Sequence, residues 1–174
     1  DCDCIMRPPE LAEDTTPTVP VVLHAVEQLH AGGSDFDAVV VLQPTSPLRT
    51  AEDIDKSLEL LFHSGADAVV SVALVPGHYH PDWQFLIEDE ALRLYNGKKI
   101  NHLILQRQLL SRTYTRNGAI YAVRTAFLLE HRALLSSDTR AYVMPDHRSV
   151  NIDAEIDFVI AAHLVAQRCS VGEL

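Results

Sequence analysis

A chain of 174 residues, 47% of them hydrophobic, fits one domain with a sizeable core, against a typical domain of roughly 150 residues. Its 14 Lys+Arg against 24 Asp+Glu give a formal net charge of -10, which argues against general binding to nucleic-acid phosphates or anionic membranes; a small anionic ligand needs only a few positive groups gathered locally. Apolar runs such as Ala68 to Val75 are far shorter than the roughly 20 residues that span a bilayer. The three cysteines, two of them the close pair Cys2 and Cys4, lack the paired spacing of a zinc site, so reduced thiols in a cytoplasmic protein are expected.

The opening "DCDCIMRPPELAEDTTPTVP" is rich in proline, acid and threonine and reads as loop. Apolar residues at Val22, Ala25, Val26 and Leu29 recur at helical spacing, and Gly32 with Gly33 ends that helix. "AVVVL", residues 38 to 42, is uninterrupted and β-branched, as in the central strand of a parallel sheet. Thr50 with Asp53 three residues on resembles a capping box, and the helix it opens carries Ile54, Leu58 and Leu61 on one face. "ADAVVSVALV" is a second buried strand, which completes a βαβ unit.

Regularity is lost from 76 to 116, where "GHYHPDWQFLIEDEALRLYNGKKINH" looks like a hairpin or arm with its turn near Asn96 and Gly97. It returns with "GAIYAVRTAFLLEH", a strand leading into a helix, then with the short strand "AYVMP". Last comes a helix expected to bury Ile156, Val159, Ile160 and Leu164. The fold class is therefore α/β, and in such sheets ligands collect outside the carboxyl ends of strands.

Three polar clusters fall at such ends. In "QPTSP", Gln43 is the first polar side chain after a buried strand, and Pro44 and Pro47 stiffen the loop. Spacing alone suits a ligand loop and a plain proline-bounded turn equally. In "NID", Asp153 is either a helix N-cap or a magnesium ligand, with Asn151 able to add one neutral oxygen. Arg107, Arg112 and Arg116 gather before "NGAIY" in an otherwise acidic chain and form the best anion site in the sequence, although a solvated face suits Arg112. His78 and His80 lack a third partner at metal-ligand spacing.

Four segments in order, "RPPELAEDTTPT" with "HAVE", "LQPTSPLRTAEDI", "RQLLSRTYTRNGAIYAV" and "SVNIDAEIDFVIA", resemble the cytidylyltransferases that activate nonulosonic acids, namely N-acylneuraminate (CMP-sialic acid) synthetases and their legionaminic acid relatives. The resemblance implies a Rossmann-like nucleotide-sugar transferase fold, three-layered with a mainly parallel sheet, spanning 1–174 as a single domain. It also implies reaction of CTP with a nonulosonic acid to give the CMP-sugar and pyrophosphate, with Mg2+ as cofactor. Position by position, Arg7 and Thr18 match cytidine-pocket residues. Gln43, Arg107 and Gln108 match sugar-acid contacts, Arg107 being suited to the carboxylate. Asn117 joins the sugar-acid residues or, like Tyr121, serves the motif's structure. Asp153 matches a magnesium ligand, next to Asn151 where many relatives carry a further aspartate. Residues 78–116 match an arm through which such enzymes form homodimers. The family's glycine-containing triphosphate loop is expected before Asp1. Two alternatives stand beside this reading: a non-catalytic protein of the same fold, and an enzyme for 3-deoxy-manno-octulosonate.

Overall fold

The computed structural model describes residues 3–171, so Cys2 lies outside the described residues; Cys4 and Cys169 are free and exposed. In chain order the main elements are α1 (Thr18–Ala31), β1 (Ala38–Val41), α2 (Ala51–Ser64), β2 (Ala68–Leu74), β3 (Phe85–Glu88), β4 (Ala91–Leu94), β5 (Tyr114–Arg124), α3 (Thr125–His131), β6 (Thr139–Val143) and α4 (Glu155–Val171), joined in part by single-turn helices. No described helix is long and apolar enough to cross a membrane.

The capping box forms as its residues require. The Asp53 amide donates to Thr50 Oγ1 (3.2 Å) and the Thr50 amide to Asp53 Oδ2 (2.9 Å), which starts α2 at Ala51. Gly65, in the left-handed region at φ 69, ends it. Leu61 of α2 packs with Val69, Ile120, Ala122 and Met144 on one face of the sheet. On the other face Leu23 and Val26 of α1 and Leu128 of α3 pack with Ala68 and Val123. The result is helix, sheet, helix in three layers. Each fully buried leucine contributes roughly 2 kcal/mol to holding them together.

The larger sheet has the order β1-β5-β2-β6. β1, β2 and β6 run in one direction, and β5 runs against them between β1 and β2. The expected βαβ unit is thus present, but its two strands are not neighbours. Among the described residues β1 is not central either: it is half-buried at one end of the sheet, and the interior places belong to β5, whose residues 117–123 are all buried, and β2. An apolar run reports that its faces are covered; it carries no information about lateral place in a sheet.

Two further expectations change. The hairpin pairs Phe85 with Leu94 and Glu88 with Ala91, so its turn is Asp89 and Glu90, both at positive φ, while Asn96 and Gly97 make a second turn beyond β4. α4 does not bury its apolar stripe: Ile156 and Val159 are 63% and 57% exposed, and Ile160 is exposed as well. Ala161 is the buried contact, and Arg168 Nη1 fastens the helix by donating to the Leu48 carbonyl (3.1 Å). Helical spacing puts those residues on one side, but no described element meets that side.

Candidate active site

The polar loop after β1 is a turn fixed from several directions. The Ser46 amide donates to the Gln43 carbonyl (3.2 Å), closing a turn with Pro44 at its second position, where a fixed φ is favoured. Arg49 Nη1 donates to the carbonyls of Gln43 and Ser46, each at 2.7 Å, so its guanidinium holds the turn from within. The Ile152 amide donates to the Thr45 carbonyl (2.8 Å), which ties the "NID" loop to the same turn. Rigidity here needs no ligand.

Beside this turn β5 bulges. Val70 pairs with Tyr121 and Val72 with Arg116, so Ser71 alone faces the four residues 117–120. The buried Ser71 hydroxyl replaces the lost ladder: it accepts from the Ile120 amide (2.8 Å) and lies 2.6 Å from Asn117 Oδ1, to which it donates. The bulge pushes Gly118, at φ 74, against the polar loop. A Cβ on Gly118 would lie 2.7 Å from Gln43 Oε1, 3.2 Å from Ser46 Oγ and 3.3 Å from Asn151 Oδ1. Only glycine allows both that backbone and that approach. The "QPTSP" loop, the "NGAIY" strand and the "NID" loop therefore meet at one point.

From Gln43 a cleft of about 400 Å³ opens, with Thr18, Tyr121, Arg116 and Arg132 among its lining residues and Leu134 and Leu135 on an apolar wall. It has two arginines and no carboxylate. Asn151 Nδ2 donates to Asp153 Oδ2 (2.6 Å), and its Oδ1 faces the Ser46 hydroxyl (3.3 Å). A carboxylate only accepts, so the amide nitrogen must face Asp153, and this fixes the Asn151 orientation. The Asp153 carboxylate is exposed and caps nothing. Asp157 Oδ2 instead accepts from the Asp153 and Ala154 amides (3.1 and 2.9 Å), which removes the N-cap reading of Asp153.

A mostly buried ion pair holds the start of α2. Asp53 accepts from Arg148 Nη2 (2.8 Å), Arg148 Nε (3.1 Å) and the Tyr142 hydroxyl (3.0 Å). Burial opposes ionisation of Asp53, but the bonds from Arg148 and Thr50 outweigh it and hold the carboxyl below the usual range. Burial, together with the Asp53 charge, pushes the Tyr142 hydroxyl up to about 12.

The residues singled out from sequence divide by position. Thr18, Gln43 and Tyr121 line the cleft, and of the three clustered arginines only Arg116 does so. Arg107 and Gln108 are exposed on a single turn outside it, with Arg107 Nε lying where a Cβ of Gly77 would come within 2.7 Å. Arg7 is exposed in the loop before α1. Asn117 faces inward: its Nδ2 donates to Ser149 Oγ (2.9 Å) and its Oδ1 accepts from Ser71, so the side chain is a buried tie and not a ligand contact of the cleft. Ser71, Arg49 and Arg132 escape sequence reading. Ser71 looks like any small strand residue, and a lone arginine gives no hint that it will grip carbonyls or reach a cleft. His80, by contrast, is simply a satisfied core residue, with Nε2 on the Ser111 carbonyl (2.9 Å) and Nδ1 on the Asp82 amide (3.1 Å).

No protein-family model matches the chain. It is 27% identical over 163 residues to post-translational flagellin modification protein B of Campylobacter coli, covering 93% of this chain and 67% of that protein. It is likewise 27% identical over 165 residues to the CMP-N,N'-diacetyllegionaminic acid synthase of Legionella pneumophila, covering 92% and 67%. With the N-acylneuraminate cytidylyltransferase of Streptococcus agalactiae serotype V it shares 29% identity over 163 residues, covering 92% of this chain and 37% of that protein. Over nearly its whole length the chain is similar to N-acylneuraminate cytidylyltransferases and CMP-legionaminic acid synthases. A solved CMP:2-keto-3-deoxy-manno-octonic acid synthetase, in complex with CTP, has the same fold, with a TM-score of 0.57 at 14% identity over 89% of this chain and 70% of that one.

One carboxylate of the "NID" loop is of the kind magnesium takes. Among the described residues no three His, Cys, Asp or Glu side chains cluster as a metal site. Asp153 nevertheless offers an exposed carboxylate bonded, among the described residues, by the Asn151 amide alone, and Mg2+ is commonly held by one or two carboxylates together with substrate phosphates. Asn151 holds Asp153 through its amide nitrogen and turns its oxygen toward the Ser46 hydroxyl.

Proposed function

We propose that this chain forms the sugar-acid side of an enzyme that transfers CMP from CTP to a nonulosonic acid, releasing pyrophosphate. The reading is carried by one observation: the three separated segments that resemble such enzymes meet around Gly118, beside a cleft whose charged lining residues are both arginines. Asp153 is the residue to hold Mg2+, which when bound neutralises charge on the phosphates. Gln43, held by its turn, hydrogen-bonds the sugar acid and positions its anomeric hydroxyl for in-line attack on the α-phosphorus. Thr18 and Arg7 serve the cytidine pocket. The hairpin β3-β4 serves as a homodimer arm; it leaves Ile87 and Leu92, a cross-strand pair, 75% and 54% exposed. Arg107 and Gln108, on the stretch leading from that arm, are suited to reach a partner's site. The protein works in the cytoplasm, where CTP is available.

Pyrophosphate release by the intact gene product, given CTP, Mg2+ and either N-acetylneuraminic or N,N'-diacetyllegionaminic acid, tests this directly. Release with at least one acid is expected. No release, together with no Mg2+-dependent CTP binding by calorimetry, rejects the enzyme and favours a non-catalytic protein of the same fold. Turnover of 3-deoxy-manno-octulosonate alone reassigns the substrate. Asp153→Ala is expected to lower kcat by about 100-fold or more with the melting temperature little changed. Unchanged turnover would show that Asp153 serves only the loop.

A further inference from the structure

The cleft contains a positive pair that the motifs leave without a role. Arg116 on β5 and Arg132 after α3 both line it with Gln43. Neither guanidinium makes a hydrogen bond or ion pair among the described residues, whereas Arg93, Arg140 and Arg148 in the same chain all find carboxylates. In a chain with 24 acids and 14 bases, two unpaired guanidiniums beside a wall without acids form an anion-binding arrangement.

The backbone supplies an independent observation. α3 ends at Arg132 with φ 49 and ψ 44, the left-handed conformation that side chains with a Cβ rarely adopt. α2 ends in the same conformation with Gly65. The other described non-glycine residues at positive φ, Asp89 and Glu90, are the two central residues of a hairpin turn, which demands it. Arg132 has no such excuse, since glycine would close the helix with less strain. Strain retained at a cleft is a sign that the side chain is used there.

We infer that Arg132, with Arg116 in the same cleft, binds the carboxylate of the sugar acid within the same chain as Gln43, a role the family resemblance gives to Arg107. Planar guanidiniums grip a carboxylate through paired N–H donors, and the apolar wall of Leu134 and Leu135 leaves the rest of the sugar's substituents a separate surface. This inference rests on the proposed reaction. It commits Arg132 to the acid and not to the phosphates of CTP.

The test uses the intact gene product and its Arg132→Gly, Arg132→Ala and Arg132→Lys variants. Initial rates give KM for the accepted acid and for CTP, and NMR titration measures binding of that acid and of its methyl ester. Arg132→Gly is expected to melt at or above the wild-type temperature, yet to raise KM for the acid roughly tenfold to a hundredfold, with KM for CTP within about twofold. Arg132→Lys should recover part of the loss, and ester binding should be the same in wild type and variants. An unchanged KM for the acid overturns the inference, as does an equal loss for acid and ester or a loss confined to CTP. A wild-type protein that neither turns over nor binds either acid overturns the proposed reaction and this inference with it. Normal wild-type turnover with an indifferent Arg132 overturns the inference alone.

Discussion

Gly118 is the residue on which the site's geometry turns. A methyl group there meets Gln43 Oε1 at 2.7 Å and demands φ 74 of an alanine, so Gly118→Ala is expected to cost about 1–3 kcal/mol and to dislodge Gln43. Denaturant unfolding gives the first and KM for the sugar acid the second. A variant as stable and active as wild type would mean that the loop yields freely. Asp53 makes a different kind of claim. Its carboxyl is held below the ordinary value, so the folded state binds fewer protons than the unfolded chain around pH 4. Its contribution is fully present above the unfolded pKa of about 3.9 and is lost as pH falls through the depressed folded value. Asp53→Asn strands Arg148 and is expected to cost roughly 3 kcal/mol at neutral pH, with less loss of stability below pH 4 than wild type shows. Urea midpoints across pH 2.5 to 7 measure both effects.

Among the elements, the bulged strand β5 relies on Ser71 to satisfy what four looped-out residues leave open. Ser71→Ala removes a buried hydroxyl that bonds the Ile120 amide and Asn117. A loss of about 1–3 kcal/mol is expected, together with weaker sugar-acid use, because Gly118 and Gln43 are placed by that bulge. A stability loss with an unchanged KM would separate the bulge from the site. α2 needs no such support: its capping box, apolar face and terminal Gly65 are all local, and each is visible in the letters Thr50 to Gly65. The hairpin illustrates the opposite. Its turn falls on Asp89 and Glu90 because pairing of Ile87 with Leu92 fixes the register, and Asn96-Gly97, the stronger turn signal, closes a later bend.

For the whole molecule, exposed Ile87 and Leu92 on that hairpin give the proposed homodimer its test. Ile87→Asp is expected to turn a dimer into a monomer by sedimentation while shifting the stability of the folded core by no more than about 0.5 kcal/mol. A wild-type monomer at micromolar concentration removes the arm's proposed role. Relatives named for cytidylyl transfer and a shared fold agree with the motifs, while sheet order and cleft composition are properties of the assembled chain.

The sequence by itself determined the α/β class, the capped helix α2, the polar loop at Gln43 and the resemblance carried by four ordered segments, because each is written in neighbouring residues or in their spacing. It also held the "QPTSP", "NGAIY" and "NID" segments that meet at the site. Only the tertiary structure decided that β5 and not β1 is central, that Asn117 turns inward, that Asn151 orients Asp153, and that Arg132 shares a cleft with Gln43 while Arg107 does not. Those outcomes depend on which strands pair and on a bulge between residues 46 positions apart, Ser71 and Asn117, which no local pattern specifies.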